Sequence, residues 1–134
     1  PIRTAGGLNI LRVLYDGKHV VFAGSADSPN AVTVASLDTL AVACVLRLAS
    51  EVCSVATHGV RIACGCEDGT IHLYFEAAGG GSFEPLGPLP EGHDGIVFGL
   101  AMRGDVLVSG AVDGLVKVWS VARRTCTPAP PGTR

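Results

Sequence analysis

His93, Ser109 and Asp113 are the residue types of a hydrolytic triad: a hydroxyl that attacks, an imidazole that takes its proton and a carboxylate that orients the ring. A serine nucleophile, however, needs an exposed, sharply held turn and an oxyanion hole. The sequence signals neither around Ser109, which lies inside an alternating apolar run. Cys64 and Cys66, with Cys53, His58 and His72 nearby, have the ligand types of a zinc site but not its four-ligand spacing. Gly79-Gly80-Gly81 has no following Lys-Ser or Lys-Thr and opens no helix, so it reads as a flexible loop rather than a phosphate cradle. Glu67-Asp68, Asp94 and Asp105 read as turn residues or solvated charges, not as paired acids.

The elements that must position these residues are strands. From Gly92 to Ser120 the chain joins a Gly-His dipeptide, an alternating apolar segment, Ser109-Gly110, an Asp113-Gly114 turn and a second alternating segment ending on the single tryptophan, Trp119. Asp-Gly between two alternating runs is a strong hairpin signal, because glycine accepts the positive φ of a tight turn and aspartate tolerates it. Residues 105–112 and 114–120 are therefore expected to pair antiparallel. Both of their faces are largely apolar, and such strands must be covered on both sides.

The same order recurs upstream. Shifting residues 47–75 by 45 places Val52 on Val97, Ala56 on Ala101, Gly59 on Gly104, Gly65 on Gly110 and Asp68-Gly69 on Asp113-Gly114, with Tyr74 on Trp119. A shift of 41 brings Gly24 onto Gly65 and Asp27 onto Asp68, with two extra residues in the first Asp turn. This alignment sets Ala23 and Ser25 at the positions of Cys64 and Cys66, so the cysteines read as compact residues in close-packed strands. Three units of about 40 residues follow: 8–48, 51–90 and 92–127, with 128–134 as a tail. Pro85, Pro88 and Pro90 fit an outer edge strand, and the prolines after Trp119 leave the last unit without a clear fourth strand.

Composition agrees with an all-β domain: 48% hydrophobic and 16% charged residues, 18 glycines and many Val-rich runs. The net charge of −2 provides no footprint for nucleic acid, and the longest apolar run, Leu40–Leu46, is too short to cross a bilayer as a helix. Neither nucleic-acid nor membrane partners are expected. Five irregularly spaced cysteines fit reduced thiols in the cytoplasm or nucleus. The chain starts at Pro1 without a signal-peptide pattern, and is expected to be a piece of something longer.

Residues 92–120 resemble a WD repeat, and most of residues 8–121 resemble the WD40-type β-propeller family. The resemblance implies four-stranded antiparallel blades, about three here, forming an incomplete ring. It also implies a buried hydrogen-bonded set of His93, Ser109, Asp113 and Trp119 with a structural rather than catalytic role. Ser120 stands where the family has an Asp. The corresponding set in the second unit is Leu48, Cys64, Asp68 and Tyr74, and the first unit keeps Asp27 only. Propellers close with four to eight blades, so three imply self-association or further blades.

The function implied is a non-catalytic scaffold that holds a peptide or protein on its loop rim, at Asp27, Asn30, Ser50, Glu51, Glu67, Asp94, Ile96 and Val112. That mixed acidic and apolar set suits a partner with a basic residue. No metal or cofactor is implied. The alternatives are an enzyme or metal-binding protein on a propeller-like frame, using Cys64, Cys66 and a histidine, and a truncated fragment without independent function.

Overall fold

The computed structural model describes residues 12–15, 19–23, 30–36, 39, 41–59, 61–76, 83–90 and 92–127. Alternating apolar runs separated by turn residues become twelve strands among these residues. They form three four-stranded sheets in which every neighbour pairs antiparallel. Sheet one is β1 (Arg12–Tyr15), β2 (His19–Ala23), β3 (Ala31–Ser36) and β4 (Val42–Arg47). Sheet two is β5 (Val52–His58), β6 (Arg61–Cys66), β7 (Ile71–Glu76) and β8 (Phe83–Pro88). Sheet three is β9 (Val97–Arg103), β10 (Val106–Ala111), β11 (Val116–Ser120) and β12 (Thr125–Thr127). This is an all-β fold of propeller blades whose ring is not closed. No helix among the described residues is long and apolar enough to cross a membrane.

The sheets stack face to face, and two apolar cores lie between them. Val21, Val32, Val34 and Leu46 of sheet one pack on Val52, Val55, Ile62, Cys64, Cys66, Tyr74 and Phe83 of sheet two. Ala63, Ile71 and Leu73 on the other side of sheet two pack with Val97, Leu107, Ala111, Trp119 and Val121 of sheet three. Strand β6 shows why both its faces are apolar: Ile62, Cys64 and Cys66 enter the first core while Ala63 enters the second. We call the side of each sheet that looks toward the next sheet in sequence its front, and the opposite side its back.

The Asp-Gly turns have the geometry their residues favour. Gly69 and Gly114 take φ of 91° and 82°, the left-handed region open to glycine. Asp68 Oδ1 accepts the Thr70 amide at 3.0 Å, and Asp113 Oδ1 accepts the Leu115 amide at 3.0 Å.

Two expectations are corrected. Sheet three has a fourth strand, β12, which pairs Trp119 with Cys126, because the turn at 121–124 returns the chain before the terminal prolines. In the third strands the bulge falls at Val34/Ala35 in sheet one and at Leu73/Tyr74 in sheet two, which sets Val32 on Ile71; their partners Ala23 and Gly65 then match, so the offset in the second strand is 42 rather than 41. A one-residue slip exchanges the two faces of a strand, so Ala23 does not stand at the position of Cys64. The ladder sets Phe22 there. Residues 8–11, Gly24, Ser25, Asp27 and the tail 128–134 lie outside the described residues.

Candidate functional site

His93, Ser109, Asp113 and Trp119 come from the corner before β9, from β10, from the β10–β11 turn and from β11, and they meet in one column. Trp119 Nε1–H donates to Ser109 Oγ at 2.9 Å, and Ser109 Oγ lies 2.7 Å from His93 Nε2. The Asp113 carboxylate can only accept, so the imidazole proton is on Nδ1 and is donated to Asp113 Oδ2 at 3.0 Å. Nε2 of the neutral ring then accepts from the Ser109 hydroxyl, whose oxygen accepts the indole N–H. Asp113 also accepts the amides of Asp94 and Leu115, both at 3.0 Å. Burial opposes ionisation of Asp113, but the Leu115 and Asp94 amides and His93 outweigh it and hold its carboxyl below the ordinary range.

This arrangement is poor for acyl transfer and good for fastening strands. Ser109 is 0% exposed and its hydroxyl is used in both directions, so no substrate carbonyl can reach it. The column instead ties the corner, the inner hairpin and its turn into one unit with every member satisfied.

The cysteines behave as compact apolar groups. Cys64 and Cys66 are buried and aimed at sheet one. Burial pushes the Cys66 thiol up to about 11, and pushes Cys64 further in the same direction. Protonated thiols in an apolar core are weak metal ligands. Among the described residues, no three His, Cys, Asp or Glu side chains converge as a metal site.

The rim residues gather at the end of the sheets that carries the β6–β7 and β10–β11 turns. Ser50, Glu51 and Glu67 form one corner: Ser50 Oγ accepts the Asp68 amide at 3.2 Å, and the Glu67 amide donates to the Glu51 carbonyl at 2.8 Å. Asp94, Ile96 and Val112 form a second, closed by the bond from the Val112 amide to the Ile96 carbonyl at 3.0 Å. The His93 amide donates to the Gly69 carbonyl at 2.8 Å and fixes the two corners side by side. Ile96 and Val112 are 37% and 61% exposed. Asn30 is half-buried and accepts the Leu48 amide through its carbonyl, whereas Asp27 lies outside the described residues.

Three further residues hold the frame. Ser54 Oγ donates to the Val97 carbonyl at 2.8 Å, a buried bond between sheets two and three. Lys117 Nζ donates to the Gly92 carbonyl at 2.9 Å and lies 5.9 Å from the Trp119 ring centroid. Asp105 accepts Ser120 Oγ and the Ala122 amide, each at 2.6 Å. For Lys117 the signal was its place two residues before Trp119, hence on the same face. Asp105 had none in the repeat, since the position 45 residues earlier is Val60.

The comparisons bear on this geometry. The family model described as "WD domain, G-beta repeat" matches residues 42–74 and 83–120, more than half of the chain. No curated protein sequence matches it. Among solved structures, the chain is similar to U3-55K with 21% identity, covering 95% of this chain and 40% of that one at a TM-score of 0.81. It is similar to a chain of the mitotic checkpoint complex with 19% identity, covering 92% of this chain and 38% of that one at a TM-score of 0.76. A computationally designed protein, Ika4, is 25% identical over 98% of this chain and 79% of its own, at a TM-score of 0.79. The chain thus spans about two fifths of several of the solved chains it matches. Propellers of this kind serve generally as non-catalytic scaffolds for protein association. Each matched segment runs through the outer strand of one sheet and the three inner strands of the next, and with these repeats and this fold the chain belongs to the WD40 family.

Proposed function

We propose that the chain is a non-catalytic interaction module whose rim holds a peptide or protein segment carrying a basic residue beside an aliphatic one. The observation that supports this reading is the juxtaposition of the two rim corners. Exposed Glu67 and Asp94 and the half-buried Glu51 flank the exposed aliphatic pair Ile96 and Val112, on loops joined by the Gly69–His93 bond. Carboxylates around an apolar patch attract a lysine or arginine and give its neighbour a dry contact. Such a rim would work in the cytoplasm or nucleus, a reading supported by five cysteines that are all free thiols.

A display library of random peptides selected on the chain tests the reading. Selected peptides are expected to share Lys or Arg next to an aliphatic residue. The double variant Glu67→Lys, Asp94→Lys is expected to weaken them by about tenfold or more, with the thermal midpoint unchanged, because both carboxylates are exposed and the loop bonds use only their backbone. Peptides without basic residues, or equal binding by the double variant, would overturn it.

A further inference from the structure

Sheet three is fastened to the front of sheet two by polar bonds as well as by the apolar core between them. At the rim end the His93 amide donates to the Gly69 carbonyl, and midway Ser54 Oγ donates to the Val97 carbonyl. At the outer edge Arg124 Nη2 donates to the Pro88 carbonyl at 2.9 Å. At the end opposite the rim, where the β5–β6 and β9–β10 hairpins turn, Gly104 is held through both of its backbone polar groups. Its amide donates to His58 Nδ1 at 3.1 Å, and its carbonyl accepts Arg61 Nη1 at 3.3 Å. His58 and Arg61 are cross-strand partners that end β5 and begin β6, and His58 is exposed.

These links differ in what a proton does to them. The others use amides, a hydroxyl, guanidinium groups and carbonyls, none of which changes charge between about pH 5 and 8. A backbone amide can only donate, so the bond at His58 requires Nδ1 without a proton and the ring proton on Nε2. An imidazolium carries protons on both nitrogens and accepts nothing, so N–H would face N–H. The charges around the ring add to this opposition. Arg61 shares Gly104 with His58, Arg103 precedes Gly104, and Arg123 and Asp105 lie beside them. The Asp105 carboxylate is already engaged: Ser120 and the Ala122 amide, then Arg61 and Arg123, hold it below the ordinary range. Glu76, at the same end of sheet two, is buried, and Asp16 and Lys18 lie outside the described residues. His72 and His93 belong to the rim end, where they contact Thr70 and Asp113.

The acceptor is particular to this pair of sheets. Forty-five residues on, the repeat sets Arg103 and Val106 at the positions of His58 and Arg61, and neither side chain can accept an amide proton. We propose that His58 is a proton-operated latch between the second and third blades. While the ring is neutral it holds the β9–β10 turn against sheet two. As the pH falls through the range in which histidine takes up a proton, about 8 to 5, the turn is released and the other links stay closed. This inference is independent of the rim reading, because the latch lies at the opposite ends of the strands.

Amide hydrogen exchange on the isotope-labelled 134-residue chain tests it, each rate being divided by that of the unstructured sequence at the same pH. Gly104 is expected to be protected at about pH 8 and to lose about fivefold of that protection by about pH 5, the worth of one exposed hydrogen bond. The His93 amide is expected to stay protected throughout. His58→Ala is expected to show the lower Gly104 protection at both pH values. His58→Asn is expected to keep the higher one at both, because its amide oxygen stands where Nδ1 stood and takes no proton. Both variants change an exposed side chain and leave the apolar cores intact. Gly104 protection that does not change with pH in the wild-type chain would overturn the proposal. So would a loss that persists in either variant, or wild-type protection in His58→Ala at about pH 8. Loss at the His93 amide together with Gly104 would overturn it as well, since the blades would then be parting as a whole.

Discussion

Ser109 joins two parts of the third blade through a single hydroxyl, which serves two partners that water cannot reach. Trp119 Nε1–H and His93 Nε2 both meet it, and both side chains are almost wholly buried. Ser109→Ala is expected to cost about 1–3 kcal/mol in urea unfolding, the cost of leaving a buried donor and acceptor unpaired. The same four residue types could be read as a triad or as a fastening. The distinction rests on burial: a serine at 0% exposure donating to histidine while accepting from indole is not available to attack. Ser120 shows how a departure from the repeat is accommodated. The hydroxyl that stands in the family's Asp position donates to Asp105, so the β9–β10 turn supplies the carboxylate. Nothing in the spacing of the chain points to that pairing, because it joins residues 15 apart across a hairpin.

At the scale of elements, the Asp-Gly turns have the same sequence signature and different obligations. Gly114 takes φ of 82° with open space around it, so Gly114→Ala is expected to cost about 1–2 kcal/mol of left-handed strain. Gly69 takes φ of 91° and lies directly under the carbonyl of His93, which an added Cβ would strike. Gly69→Ala is therefore expected to lower the unfolding midpoint clearly more than Gly114→Ala and to displace the corner that carries His93; equal costs would show that the corner yields freely. The edge strand was legible in advance from its prolines. Pro85 and Pro88 lie in β8, which pairs only with β7 and needs no amide on its outer side. The fourth strand of sheet three was not legible. Its three residues are too short for a pattern, and their pairing depends on a turn in which Arg124 takes φ of 57°.

At the scale of the molecule, two separate cores make the stack quasi-one-dimensional, each sheet touching only its neighbours. Leu46→Ala, in the first core, is expected to cost about 2–5 kcal/mol locally. It should expose Cys64 and Cys66 to a thiol reagent at urea concentrations where Trp119 fluorescence, which reports the second core, is still native. Coincident transitions would instead make the chain a single cooperative unit. Alternation and turn chemistry act over a few neighbouring positions, so the strands other than β12, the Asp-Gly turns and the repeat of 45 residues were legible in the sequence. The sequence also marked the third unit as the one carrying the full polar set. Only the tertiary structure decided which face of each strand meets which neighbour. The ladder register of Ala23 differed by one residue from the sequence alignment, since identical small and branched residues fit either side of a strand covered on both. It likewise decided that a Cβ on Gly65 would strike Val97 while nothing lies within 4 Å of one on Gly110, for the two glycines share a position in the repeat and differ in what packs against them.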